Sequence, residues 1–206
     1  MTQITAQQVQ ELRRRTGAGM MACKSVLAQV DGNLDVAVEV LRKQGIAKAE
    51  SRVDRATGEG LVASYVHHNG RIAALVEVAC ETDFVARSDV FQALAHHIAE
   101  HVAASAPVAV EWHEVPPLMI DEQRAKFERQ ARASGKPDAL IETIVAGKLE
   151  SFSREVVLLR QPWIRDGGKA IGELVLEASA LLGEVVRVRR FSRFVVGGLI
   201  PPGPVE

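Results

Sequence analysis

The 206-residue sequence predicts an α+β protein: a three-helix bundle at the N-terminus, then an antiparallel-sheet core with packed helices and a helical hairpin. Three observations predict it. Apolar residues recur at three- and four-residue spacing over about the first 45 positions, as on amphipathic helices. Asn69-Gly70 stands between two strand-like runs, which signals a hairpin. Helical stretches then separate that hairpin from a last strand-like run, which favours α+β over a doubly wound parallel sheet.

The elements follow in order. Thr5 with Gln8 is a capping-box pattern, and Val9 and Leu12 share one helix face behind it. Gly17-Ala18-Gly19 stops this helix. A second helix runs from Met20 to about Val30, with Met20, Cys23, Val26, Leu27 and Val30 on its apolar side. Asn33 caps a third helix, which turns Leu34, Ala37, Val38 and Leu41 inward and ends at Gly45. A core this small predicts marginal stability for the bundle. Ile46 to Gly60 reads as a connector whose Ala-rich start could extend the helix. Domain boundaries are set at 1–55 for the bundle with its connector and 56–206 for the core.

In the core, Leu61 to His67 and Arg71 to Cys80 read as paired strands, with Ile72, Ala74, Val76, Val78 and Cys80 on one face. Ser88 caps a helix with the stripe Phe91, Leu94, Ala95, Ile98 and Val102. Asp121 to Ala133 and Pro137 to Phe152 form a helical hairpin, about 118–152 with its flanks, joined at Ser134-Gly135-Lys136. Val156 to Leu159 could be a strand, Ile171 to Leu182 a helix, and Glu184 to Val196 a long closing strand. The tail Gly197 to Pro204 can sustain neither a helix nor a central strand.

Composition narrows function. Apolar residues make up 47% and charged residues 25%, so disorder is not the dominant state. Lys and Arg total 25 against 26 Asp and Glu, a balance that argues against a general nucleic-acid binder. Cys23 and Cys80 are too few for a disulfide scaffold or a four-thiolate zinc site and read as apolar fillers in a reducing, cytoplasmic compartment. The first residues carry no secretory pattern, and no run approaches the length of a membrane span.

Two segments are more than pattern. They are Glu11-Leu12-Arg13-Arg14-Arg15-Thr16-Gly17-Ala18-Gly19-Met20-Met21-Ala22-Cys23-Lys24 and Cys80-Glu81-Thr82-Asp83-Phe84-Val85-Ala86-Arg87. Together they resemble the two signatures of the bacterial elongation factor Ts family, the guanine-nucleotide exchange factors of elongation factor Tu. Ser134-Gly135-Lys136-Pro137 and Gln161-Pro162 resemble the family's helical-hairpin region. The resemblance runs from Ile4 to about Val196 and implies the compact form of the family, with a ubiquitin-associated-like bundle and a homodimer engaging Tu. It implies that Asp83 and Phe84, flanked by Thr82 and Val85, insert beside the Mg2+ site of Tu. It further implies that Arg13, Met20, Met21 and Lys24 touch the G domain, and it places His101 near that contact. No cofactor, metal or membrane is implied, and no direct nucleic-acid contact.

The residues leave alternatives beside these implications. Phe84 could fold back on Leu75 or Val90 as core, since most Phe residues are buried. Asp83 could simply cap a turn. Met20 and Met21 point about 100° apart on a helix, so one of them is exposed. His97 and His101 are spaced as in zinc-binding helices but lack a third ligand, so exposed or interface histidines are the plainer reading. Arg187, Arg189, Arg190 and Arg193 make a basic strand, read as solvated or dimer-facing rather than RNA-binding, because only 4% of residues are aromatic. An enzyme and a ubiquitin-like-binding adaptor are the rival functions. The first lacks a phosphate loop, nucleophile elbow or metal set. The second leaves the Thr-Asp-Phe-Val loop unexplained.

Overall fold

The computed structural model describes residues 4–198, so the tail from Leu199 onward lies outside the described residues. The chain is of the α+β class and packs as two units that do not follow chain order. The first comprises the chain up to Gly60 with Ala79–Gln92 and Leu174–Arg187. The second comprises Leu61–Val78, Ala93–Glu173 and the chain from Val188.

The first unit is built on helices α1 (Ala6–Thr16), α2 (Met20–Gln29) and α3 (Leu34–Glu50). The capping box is formed: Gln8 N–H donates to Thr5 Oγ1 at 3.2 Å, and Thr5 N–H donates to Gln8 Oε1 at 2.9 Å. Gly17 ends α1 in the left-handed region at φ 67°, which a residue with a Cβ adopts only at a cost. Asn33 Oδ1 accepts from the amides of Asp35 and Val36. Val9, Leu12, Cys23, Val26, Leu27, Ala37 and Leu41 form one apolar cluster.

Two expectations for this bundle are corrected. Met20 is exposed rather than inward, because it opens α2 one turn before Cys23, where the buried face begins. Gly45 does not end α3, which runs to Glu50. It faces the C-terminal part of helix α8 (Ile171–Leu182), where a Cβ on Gly45 would sit 3.2 Å from that of Ala180. Its small size serves a close helix approach, not a stop. Arg42 pairs with Glu177 at 3.1 Å along the same face.

The second unit holds a three-stranded sheet in the order β1 (Glu59–Val66), β2 (Ile72–Cys80), β5 (Arg187–Val195). The β1–β2 hairpin turns through Gly70 at φ 65°, with Asn69 Oδ1 accepting from Arg71 N–H. Val196 N–H donates to Arg71 O at 3.0 Å, so the end of β5 meets the start of β2 and the pair is antiparallel. β5 opens at Arg187, later than expected from Glu184, because the amides of Val185 and Val186 are taken by Glu81 Oε1 and Ser179 Oγ. Ala74, Val76 and Val78 are buried on one face of β2, which is followed in the chain by helix α5 (Asp89–Ser105). Tyr65 meets His96 of α5 edge-on, and Arg193 Nε donates to Ala103 O.

Helices α6 (Pro117–Ala133) and α7 (Asp138–Val156) form the expected hairpin around Ala131, Ile141, Val145 and Leu149. Val156 to Leu159 is not a strand. The apolar run is the last residue of α7, one isolated bridge between Ala109 and Val157, and a 3-10 turn over Leu158–Arg160. A short ribbon follows, β3 (Pro162–Trp163) against β4 (Asp166–Ala170). It is too short and too glycine-rich to have an apolar alternation. Among the described residues no helix is long and apolar enough to cross a membrane.

Candidate docking site

Both predicted contact segments fall in the first unit. The Thr-Asp-Phe-Val segment is a single helical turn, Asp83–Ala86, with Thr82 as its N-cap. Thr82 Oγ1 accepts from Val85 N–H at 3.3 Å. Val85 and Ala86 are buried and fasten the turn to the unit. That leaves the opposite side to Phe84, which is 82% exposed. The ring does not fold back as core. Asp83 is also on the open side and pairs with Arg87 at 2.8 Å, four residues along.

The base of the turn is bound by two carboxylates. Glu184 Oε2 accepts from the amides of Glu81 (3.1 Å) and Thr82 (3.0 Å), and its Oε1 accepts from the Thr82 hydroxyl at 2.6 Å. Glu81 Oε1 accepts in return from Val185 N–H at 2.8 Å. That bond, with the charge of Arg55 behind it, holds the Glu81 carboxyl below its usual range. The Arg55–Glu81 pair spans 3.4 Å, and Arg52 Nη1 donates to Gly183 O at 2.6 Å. Arg187 reaches Val53 O. Beneath the turn, burial pushes the Cys80 thiol up, so it stays protonated and inert, its Sγ 3.2 Å from Thr82 O. Sequence reasoning missed Glu184, which lies 103 residues from Glu81 and has no local signal pointing at the loop.

The second segment presents Met20 and Met21, both exposed, at the start of α2, where Gly19 is the N-cap. Arg13 and Lys24 are exposed as well. Arg14 and Arg15 both bind Glu11, and those bonds hold its carboxyl at about 2. Flexible exposed methionines suit a contact surface.

His101 is different in kind. It belongs to the second unit and is fully buried, with Nε2 2.9 Å from Gln161 Oε1. Gln161 Nε2 donates to Glu155 O at 2.6 Å, so the imidazole ties α5 to the end of α7. The placement of His101 on a partner surface is therefore corrected: a fully buried ring has no surface to offer. Burial favours its neutral form and lowers its pKa. His97 is half-buried and neighbours Trp163 and Arg165. Among the described residues no group of three potential ligands could hold a metal ion.

Comparison with known proteins fits these features. The sequence profile of the family described as Elongation factor TS matches residues 24–198. An elongation factor Ts of Fervidobacterium nodosum is 48% identical over 195 residues, covering 95% of this chain and 99% of its own. One from Nitratidesulfovibrio vulgaris is 47% identical, covering 94% of this chain and 97% of its own. One from Anaeromyxobacter dehalogenans is 47% identical, covering 96% and 90%. The α+β fold and its exposed aromatic turn thus sit in a translation elongation factor. The chain belongs to the elongation factor Ts family.

Proposed function

We propose that this chain is a guanine-nucleotide exchange factor for elongation factor Tu and acts in the cytoplasm without covalent chemistry or a cofactor of its own. The observation that carries the reading is the 82% exposure of Phe84 on a turn whose neighbours Val85 and Ala86 are buried. An apolar ring held in water on a braced support is the form of an interface anchor.

Phe84 and Asp83 insert beside the Mg2+ site of the partner's G domain, while Thr82 and Val85 hold the turn in place. The Mg2+ ion offsets charge on the GDP phosphates. Disturbing its coordination leaves those phosphates less neutralised, and GDP leaves faster. Each ~1.4 kcal/mol taken from the release barrier is a tenfold gain in rate. Because coupling is reciprocal, GDP and the exchange factor weaken each other's binding to Tu by one common factor. Arg13, Met20, Met21 and Lys24 make a second contact with the G domain. His101 takes no part.

The acting form is a homodimer. Its support is the outward sheet face, where Val62, Val66, Leu75 and Phe194 stand exposed together on three adjacent strands. Sedimentation of the free protein as a monomer at micromolar concentration would remove this part of the reading. The exchange reading is tested by stopped-flow release of a fluorescent GDP from Tu. Acceleration by catalytic amounts of this chain is expected, and an unchanged release rate would refute it.

A further inference from the structure

We infer that Glu184 is a positioning residue for Phe84, holding the exposed turn in its docking pose from the far end of the chain. This inference rests on the proposed exchange function. Four observations lead to it.

First, Glu184 engages the turn through both carboxylate oxygens: Oε2 takes two consecutive amides, of Glu81 and Thr82, and Oε1 takes the Thr82 hydroxyl. Second, that hydroxyl is also the N-cap of the turn, accepting from Val85 N–H. A hydroxyl has one proton and two lone pairs. By taking the proton, Glu184 aims a lone pair at Val85 N–H, so the carboxylate sets the cap as well as the base. Third, the grip is mutual, since Glu81 accepts from Val185 N–H, the residue next to Glu184. Fourth, the chain is turned back to make the grip. Gly183 follows α8 at φ 75°, with its N–H on Ser179 O, and Arg52 binds its carbonyl.

Both oxygens of Glu184 are aimed at the two residues that directly precede Asp83 and Phe84, so its grip fixes where the turn begins. Phe84 itself touches no clamp residue through a hydrogen bond, so the effect of Glu184 on a partner is transmitted through the pose of the turn. Glu184→Gln separates these roles. Its single oxygen can keep the two amides, but its NH2 then faces Thr82 Oγ1, so the hydroxyl must turn its proton away and the charge-assisted bond is replaced by a weaker neutral one. The base survives, and the cap keeps a lone pair for Val85 N–H but is no longer aimed by a carboxylate.

The experiment is stopped-flow GDP release from Tu over a range of exchange-factor concentrations, with wild type, Glu184→Gln, Glu184→Ala and Phe84→Ala. Circular dichroism and thermal melts establish folding. For Glu184→Gln the maximal stimulated rate is expected to fall about tenfold, equivalent to ~1.4 kcal/mol of barrier. The half-saturating concentration should move by less than about threefold, because the Met20 and Met21 surface is intact. Amide exchange at Val85 should quicken while that within α1 to α3 does not. A folded Glu184→Gln protein with wild-type maximal rate, beside a Phe84→Ala protein that has lost stimulation, overturns the role of Glu184 and leaves the exchange reading standing. Full stimulation by Phe84→Ala overturns both. If Glu184→Ala fails to fold, the isosteric Gln variant alone decides.

Discussion

The family resemblance implies a part in partner contact for both Phe84 and His101, and the molecule treats them in opposite ways. Phe84 is an apolar ring that polar groups hold out in water; the carboxylates of Glu81 and Glu184 spend their hydrogen bonds on the backbone beneath it. His101 is a polar ring fully enclosed in the protein, where Gln161 meets its Nε2 and its Nδ1 is buried without a hydrogen-bond partner. The contrast teaches that residue type alone does not assign the role. What surrounds the side chain does: an enclosed polar ring can be engaged only from within, whereas an exposed aromatic on a braced turn is left for another molecule.

The largest expected effect that tests this contrast is Phe84→Ala. Stimulated GDP release should fall about 100-fold while stability changes by less than about 0.5 kcal/mol, since little of the ring is buried. Stopped-flow release and a denaturant titration on the same sample read both numbers. A large loss of stability would erase the distinction. Next in size is His101→Ala, which leaves Gln161 Oε1 without its imidazole partner and opens a cavity. It should destabilise the protein by about 2 kcal/mol. At a temperature where the variant is still folded, its maximal exchange rate should match wild type. A tenfold slower rate from folded protein would put His101 back among the docking groups.

The smallest effect is in pH. Burial holds His101 below the ordinary histidine value of 6.5, and burial with the charge of Arg165 does the same for His97. The folded state then keeps these rings neutral while the unfolded chain takes up protons as pH drops past that value. Their contribution to stability is complete above 6.5 and shrinks as pH falls toward the folded-state pKa. Urea midpoints at about pH 7.5 and about pH 5.5 should show wild type losing stability on acidification. His101→Ala should lose less over the same interval. An equal loss in both would mean that the buried ring does not titrate on unfolding.

Much of the fold was legible because its signals are local. Thr5 and Gln8, Asn33, and Asn69-Gly70 act within three or four residues, and each forms the cap or turn its chemistry predicts. The errors arise where distant packing decides. Gly45 carries the same local signal as a helix stop, yet its lack of a side chain answers to Ala180 on another helix. Val156 to Leu159 is apolar enough for a strand, but α7 already extends into it. The β3–β4 ribbon has a pairing that spans few residues and hence no periodic trace. At the site, Asp83 and Phe84 and their outward projection were implied by the family resemblance alone, since the residues by themselves left a buried Phe84 open. Glu184 was invisible, because a carboxylate after a glycine announces nothing about a loop a hundred positions earlier.

The Asp83–Arg87 pair spans the turn that carries Phe84. Two copies that tried to bury their rings against each other would have to strip water from both ends of that ion pair in each copy. Opposite charges flanking the ring therefore act as gatekeepers against self-contact through it. A neutral Gly or Ala at both positions would leave the same ring available to any passing surface.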